Sequence, residues 1–279
     1  MGPVDALMME AKRLFHGRGQ GLNYNIDSIP PYILIDAFED IPKEELERLL
    51  KQLPSSEGVF YRNRKARESF RPLTGSIPDT HYLVENSLRY EINLKDNQNI
   101  GFFLDMKPGR DLISKITKGK KVLNLFSYTC SFSVAAMNAG ALKVTNIDMK
   151  KSFLKTGQKN HQLNGLEKNV QFLSYDIMKS LSGISKKGPW DLIIIDPPSH
   201  QSSFHLESAY PKLLKKVDSW LSEKGVVLAC LNSPFLDSGF LLDHAPGWEV
   251  SQVLYSAEEF KEVDPEKGLK MVLFTRAES

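Results

Sequence analysis

Five short apolar runs recur between residues 122 and 231, at 122–127, 143–148, 170–175, 191–195 and 225–231. Helical stretches at 131–139, 150–163, 177–186 and 205–222 separate them. Strands that alternate with helices are joined by crossovers, so they predict a parallel, doubly wound sheet. The fourth run constrains the chain most. Leu192 to Ile195 have no polar face, which suits a parallel strand covered on both sides. Asp196 ends the run. Pro197 and Pro198 cannot donate to a sheet ladder, so the chain leaves the sheet there. A carboxylate therefore stands at the carboxyl edge of a buried strand, where open α/β sheets bind their ligands. Taken alone, the stretch is equally well read as a strand that stops at a Pro-Pro turn.

The neighbouring runs decide between these readings. The first ends in Asn124-Leu125-Phe126-Ser127-Tyr128-Thr129, the second at Asp148, the third at Asp176. Each Asp alone could be a helix cap. Three carboxylates at the ends of consecutive parallel strands converge on one edge and read as a site. A dinucleotide site would carry Gly-x-Gly-x-x-Gly after the first strand. Ser127-Tyr128-Thr129-Cys130-Ser131 stands there instead, which argues against NAD and for another nucleoside ligand. Residues 248–255 and 269–276 read as two further strands without a full helix between them, so a last antiparallel strand is expected.

The first 120 residues are less regular. Residues 5–15 read as a short amphipathic helix ending at His16-Gly17-Arg18-Gly19, a Gly-rich stretch read as a flexible turn in preference to a phosphate-contacting loop. A strand is expected at 32–38 and a helix at 42–53, with Pro42 in its first turn. A hairpin is expected at 81–85 and 89–94, turning at Asn86-Ser87, and a helix at 107–117. Residues 59–72 are the most basic stretch: Arg62, Arg64, Lys65, Arg67 and Arg71 stand against Glu68 alone. Phe60, Tyr61 and Phe70 are interleaved with them. Arginines grip phosphates and aromatic rings stack on unpaired bases, so nucleic-acid binding is the favoured reading over a solvated strand and loop.

The formal net charge of +2 on 279 residues confines any nucleic-acid surface to a local patch. Cys130 and Cys230 are the only cysteines and lack metal-ligand spacing, which predicts no metal and a reduced, cytoplasmic setting. No apolar run is long enough to cross a membrane, and Met1 to Phe15 lack a cleavable signal pattern.

The ordered motifs Gly-Phe-Phe-Leu-Asp (101–105), Val-Leu-Asn-Leu-Phe-Ser-Tyr-Thr (122–129), Asn-Ile-Asp-Met (146–149), Asn-His-Gln-Leu-Asn-Gly (160–165) and Asp-Pro-Pro-Ser (196–199) resemble those of class I S-adenosylmethionine-dependent methyltransferases. More narrowly, they are similar to the branch containing bacterial large-subunit ribosomal RNA base methyltransferases of cytosine-5 and guanine-N7 type. The segment 16–19 resembles an uncharacterised subgroup of it. The resemblance implies a Rossmann-like, mostly parallel seven-stranded sheet with an antiparallel last strand at residues 99–279. A small α+β substrate-recognition domain at 1–98 would precede it.

The resemblance also implies roles. Asn124, Phe126, Ser127, Tyr128 and Thr129 would form the loop under the methionine part of S-adenosylmethionine. Asp148, followed by Met149, would take the ribose, and Asp176 with Ile177 the adenine. Asp105 would lie near the amino acid end. Asp196, Pro197, Pro198 and Ser199 would line the space where the methyl group meets the target base. Two positions depart from the pattern: Cys130 stands where Gly is frequent, and His200 where Phe is usual. Cytosine-5 relatives carry their nucleophilic cysteine at the position of Asn232, and guanine-N7 relatives carry Asn there. Cys230 then reads as a small buried apolar residue, and ring-nitrogen methylation is favoured. The expected function is methylation of a base in RNA, with ribosomal RNA as partner. The alternatives are a methyltransferase for a small molecule or protein, and a non-catalytic cofactor-binding RNA assembly factor.

Overall fold

Leu192 and Ile194 pack on one side of a central sheet, Ile193 and Ile195 on the other, which is why their run has no polar face. The computed structural model describes residues 9–17, 20–66, 70–76, 78, 80–95, 99–198, 204–260, 262 and 264–276. The chain divides into a unit of Met1–Leu104 with Ala257–Val263 and a unit of Asp105–Ser256 with Asp264–Ser279.

The first unit contains β1 (Lys12–His16), β2 (Tyr24–Ile29), β3 (Tyr32–Ala37), α1 (Lys43–Gln52), β4 (Gly58–Asn63), β5 (Phe70–Thr74), β6 (His81–Glu85) and β7 (Leu88–Ile92). Strands β1 to β5 form one sheet in chain order. Only β3 and β4 are parallel, and α1 makes the connection between them. Pro42 stands at the N-cap of α1, and Glu44 and Glu45 in its first turn and Lys51 in its last complement the helix dipole. Its Leu46 and Leu49 pack on Ile26, Ile33, Ile35 and Val59. β6 and β7 form the expected hairpin, and Asn86 and Ser87 both adopt positive φ, as a tight two-residue turn requires.

Two expectations fail in this unit. Residues 12–16 are a strand paired with β2, where the sequence reads as a helix. A register shift between Arg13 and Phe15 lets the consecutive Leu14 and Phe15 both reach the core, a spacing that mimics a helical face. The basic stretch is not one continuous open surface: Arg64, Lys65 and Arg71 are exposed, and the residues of β4 are not. β4 lies between β3 and β5 and is buried along its whole length. Phe60 and Tyr61 are core residues. Arg62 is 3% exposed, and its Nε donates to Asp36 Oδ1 at 2.8 Å. Arg64 donates to the same carboxylate, with Nη2 to Oδ2 at 2.6 Å.

The second unit contains α2 (Lys107–Ile116), β8 (Lys121–Leu125), α3 (Ser131–Asn138), β9 (Lys143–Asp148), α4 (Lys151–Leu163), β10 (Val170–Ser174), α5 (Leu181–Ser185), β11 (Trp190–Ile195), α6 (Leu206–Asp218), β12 (Leu221–Asn232), α7 (Ser238–His244), β13 (Trp248–Tyr255) and β14 (Leu269–Arg276). Its sheet has the order β10-β9-β8-β11-β12-β14-β13. β10 through β12 run parallel and β14 is antiparallel to both its neighbours. This is the mostly parallel, seven-stranded Rossmann-like sheet with an antiparallel last strand. Side chains of α2 and α3 cover one face, and those of α6 and α7 cover the other. The helix expected at 177–186 shrinks to Leu181–Ser185, because residues after Asp176 form a turn in which Asp176 Oδ1 accepts the Lys179 N–H at 3.3 Å. From β8 the chain builds toward β10 on one side and then crosses to β11 on the other, so the switch point of the sheet lies between β8 and β11. Among the described residues no helix is long and apolar enough to cross a membrane.

Burial pushes the Asp36 carboxyl up, and the hydrogen bonds from Arg64 and Arg62 outweigh it, leaving Asp36 below its ordinary value. Asp36→Ala strips a buried guanidinium of this partner and is expected to cost about 3–5 kcal/mol. Chemical denaturation checks it, and a cost below about 1 kcal/mol would show that the pair is not what holds β3 to β4.

Candidate active site at the sheet edge

The turn after β8 carries an unusual backbone. Phe126, Tyr128 and Cys130 adopt φ of 56°, 47° and 65°, a left-handed conformation that costs a non-glycine residue on the order of 1–2 kcal/mol. Neighbouring elements hold the turn in place. Ser127 N–H donates to Ile147 O at 3.0 Å and Tyr128 N–H to Asp148 Oδ2 at 2.9 Å. Asp148 Oδ1 accepts the Lys150 N–H at 2.9 Å. From α4, Asn160 Nδ2 donates to Thr129 O at 2.9 Å. Gly157 is required beneath it, since an added Cβ would collide with Cys130 Sγ. The Tyr128 ring meets Phe153 edge-on at 4.5 Å and the Phe126 ring meets Phe204 at 4.8 Å.

A chain of buried polar groups runs behind the turn. His161 Nδ1 lies 2.8 Å from Gly157 O, so Nδ1 carries the proton and Nε2 accepts from Ser133 Oγ at 2.9 Å. Burial pushes the His161 imidazole down, keeping it neutral. Ser133 Oγ accepts from Asn146 Nδ2 at 2.9 Å, and Asn146 Oδ1 accepts from Asn124 Nδ2 at 3.0 Å. The chain ends at Asn124 Oδ1, which is buried with no hydrogen-bond partner. Such an acceptor calls for a donor from a ligand. Asn124 is thus inside β8 and not in the turn itself.

Asp148 and Asp176 lie at the ends of adjacent strands. Asp148 pairs in register with Ser174, and Tyr175 N–H donates to Asp148 O at 3.2 Å. Burial raises the Asp148 carboxyl above its ordinary value, while the N–H groups of Lys150 and Tyr128 act against it. Met149 is exposed beside it, and Ile177 is buried beside Asp176.

Asp196 stands across the switch point, its N–H 3.4 Å from Leu125 O. Burial and then the Asp105 carboxylate push it up to about 7, against an opposing pull from the buried Arg110. Pro197 is buried and Pro198 exposed. Ser199 and His200 lie outside the described residues. Asn232, at the end of β12, is exposed, whereas Cys230 is 0% exposed in the core cluster with Leu228 and Met271. Burial, followed by the Asp196 charge, pushes the Cys230 thiol well up, so it stays protonated and is a poor nucleophile.

The sequence did not single out several residues that build this edge. Arg110 faces Asp196 from α2. Tyr210 in α6 donates its hydroxyl to Cys230 O at 2.8 Å, bridging toward Ile195 O at 3.2 Å where β11 and β12 part. His161 and Asn160 fall in a quoted motif but had no role there. Among the described residues no cluster of His, Cys, Asp and Glu could hold a metal ion.

A family model described as S-adenosylmethionine-dependent methyltransferase matches residues 12–275. The chain is similar to the ribosomal RNA large subunit methyltransferase K/L of Alteromonas mediterranea, 33% identical over 219 residues, covering 74% of this chain and 30% of that protein. It is similar to the ribosomal RNA large subunit methyltransferase I of Aeromonas salmonicida, 30% identical over 205 residues, covering 68% of this chain and 52% of that protein. The chain therefore spans about a third to a half of these relatives' length. Among solved structures it is similar to SMU.776 complexed with SAH, with a TM-score of 0.88 and 25% identity, covering 98% of this chain and 77% of that one.

Removing the Asp148 carboxylate takes away a charged acceptor and the anchor of the strained turn. Asp148→Ala is expected to weaken S-adenosylmethionine binding about 10- to 150-fold, the equivalent of losing about 1.5–3 kcal/mol. Titration calorimetry reads this directly, and unchanged affinity in a folded variant would rule the residue out as an anchor.

Proposed function

This chain belongs to the S-adenosylmethionine-dependent methyltransferase family, and on that basis we propose that it methylates a base in RNA, with ribosomal RNA as the substrate class. The observation that carries the proposal is Asp196, a carboxylate at the carboxyl end of β11, beside the switch point of the sheet. The names of the curated relatives support the choice of RNA. In this reading residues 1–98 recognise the substrate, residues 99–279 carry the chemistry, and the protein works in the cytoplasm.

When bound, S-adenosylmethionine supplies an electrophilic methyl group on a sulfonium, whose carbon–sulfur electron pair returns to sulfur as the new bond forms. The residues present suit that group. Asn124 Oδ1, buried and without a donor, would take the ammonium of its amino acid end. Asp148 would accept from the ribose hydroxyls beside Met149, and Asp176 from the adenine amino group beside Ile177. The turn of Phe126, Ser127, Tyr128 and Thr129 would shape the floor. Alignment is then the main task, with the acceptor atom about 3–3.5 Å from the methyl carbon. Asp196 and Asn232 would hold the base by its edge while Pro197 and Pro198 keep the strand end stiff. A ring nitrogen uses its own lone pair to form the bond. Carbon-5 of a pyrimidine needs a thiolate, and the buried, protonated Cys230 speaks for nitrogen.

Incubating the protein with radiolabelled S-adenosylmethionine and total RNA, then digesting the RNA to nucleosides, tests the reading. Label in a base-modified nucleoside is the expected result. Label only in protein or small molecules would replace it with the alternative class.

Asp196 gives a pH signature. The folded carboxyl titrates at about 7 against an ordinary 3.8. Across that window the folded chain holds a proton that the unfolded chain has released, so stability falls as pH rises. Asp196→Asn is expected to raise the melting temperature at about pH 8 and barely change it at about pH 4. Transfer by the native protein is expected to rise with pH through neutrality as Asp196 ionises, and the variant should lose that rise. Matching pH profiles for variant and native protein would remove Asp196 from the chemistry.

The arginine stretch now divides. Arg62 is an internal residue, and Arg67 lies outside the described residues. Arg64 gives its guanidinium to Asp36, so Arg71, exposed over the Tyr61 ring at 5.2 Å, remains as the candidate to grip a phosphate. Replacing Arg71 by alanine should weaken RNA binding and lower its salt slope by roughly 1 for the phosphate no longer neutralised. Filter binding over a salt series checks it, and an unchanged slope would move the RNA surface elsewhere.

A further inference from the structure

Phe235 is 88% exposed, far more than any other large apolar side chain among the described residues. It stands in the turn Ser233-Pro234-Phe235-Leu236, three residues beyond Asn232, at the same edge of the sheet as Asp196. Single exposed apolar residues on loose loops need no explanation. This loop is not loose. Lys270, 0% exposed in β14, places its Nζ 2.7 Å from Ser233 O, 2.7 Å from Leu236 O and 2.6 Å from Glu266 O. All three ammonium protons are thereby engaged, and the carbonyls on both sides of Phe235 are gripped. The Phe235 N–H donates to Ser233 Oγ at 3.2 Å. Glu266 extends the brace, accepting from Ser238 N at 2.7 Å, Ser238 Oγ at 3.0 Å and the Tyr255 hydroxyl at 2.6 Å. Burying an ammonium is costly unless it is fully hydrogen-bonded. The fold bears that cost at a turn whose exposed tip is a bare aromatic ring.

We propose that Phe235 is the platform on which the target base stacks. The proposal rests on the RNA methyltransferase reading above. β11 and β12 pair through Ile195 and Ala229, so Asp196 is level with Cys230. Asn232 lies two residues, about 6–7 Å, further along β12, and the rigid turn follows at once. A carboxylate, an amide and a ring therefore succeed one another along the edge. A base removed from its own stack needs an aromatic face to lie against. The two polar groups address the edge of the base, and the ring, which has no hydrogen-bonding group, fixes its plane. That division makes Phe235 indifferent to base identity and leaves selectivity to Asp196 and Asn232.

The ring is outside the core, so variants of it should fold. Phe235→Ala is expected to lower kcat/KM for methyl transfer to total RNA roughly tenfold to a hundredfold, the range of one lost base–aromatic stack. Phe235→Leu should remain low, because it restores apolar area without a π face, and Phe235→Trp should recover most of the rate. Affinity for S-adenosylmethionine, read by calorimetry, should be the same in all four proteins. The three native tryptophans are buried, so a tryptophan placed at 235 also reports contact through quenching of its emission by single-stranded oligoribonucleotides. Native-level transfer by the alanine or leucine variant, with native transfer intact, would overturn the stacking role and leave the RNA reading standing. No transfer to any RNA by the native protein would overturn both.

Discussion

Three left-handed residues within five, none of them glycine, do not hold themselves in place, and here the Asp148 carboxylate does much of the holding. One oxygen takes the Tyr128 N–H and the other takes the Lys150 N–H. The same side chain therefore ends β9, starts the approach to α4 and fixes the turn after β8. Strain of this kind persists only where its surroundings over-determine it. The supports come from two elements: Ile147 and Asp148 from β9, and from α4 both Asn160 and the Gly157 backbone that admits Cys130. The polar chain from His161 to Asn124 lies behind them with every proton direction fixed by its neighbour. A cofactor that meets this edge meets groups already in position, which lowers the cost of ordering them on binding.

The opposite side of the switch point works by electrostatics. Burial disfavours the Asp196 charge most, the Asp105 carboxylate adds to that, and Arg110 opposes both. Two carboxylates close together do not readily both ionise, so the edge is set to change charge near neutrality. Tyr210 closes the gap where β11 and β12 part, holding the main chain behind Asp196 and Cys230. A group so arranged lowers the stability of the fold at neutral pH, a common property of functional sites.

The regular half of the chain was legible because its signals are strong and local. The Leu192–Ile195 run, the three aspartates and the helical spacings gave the sheet and its edge, while the switch point needed the strand order. The misses have physical causes. Leu14 and Phe15 share a core through a bulge, which no periodicity reveals. Arg62, Phe60 and Tyr61 read as a nucleic-acid footprint because sequence does not show that Asp36, from a neighbouring strand, takes up the arginine charge. Cys130 occupies a left-handed position that favours glycine, and the sequence alone names the departure without showing how Gly157 makes room for it. Lys270 gave no signal at all, since a lone lysine in an apolar strand reads as an exposed edge and not as a buried brace.

β14 is the last strand in the chain, yet it lies inside the sheet, between β12 and β13. Synthesis is vectorial, so β12 and β13 leave the ribosome before the strand that must separate them. Until residues 269–276 arrive, the apolar edge from Val226 to Asn232 has no permanent neighbour, and an open apolar edge invites pairing with another nascent chain. The brace from Lys270 arrives with the same strand. The turn that carries Phe235 is therefore braced late in the life of the polypeptide, after the β8–β10 side of the edge has its own supports.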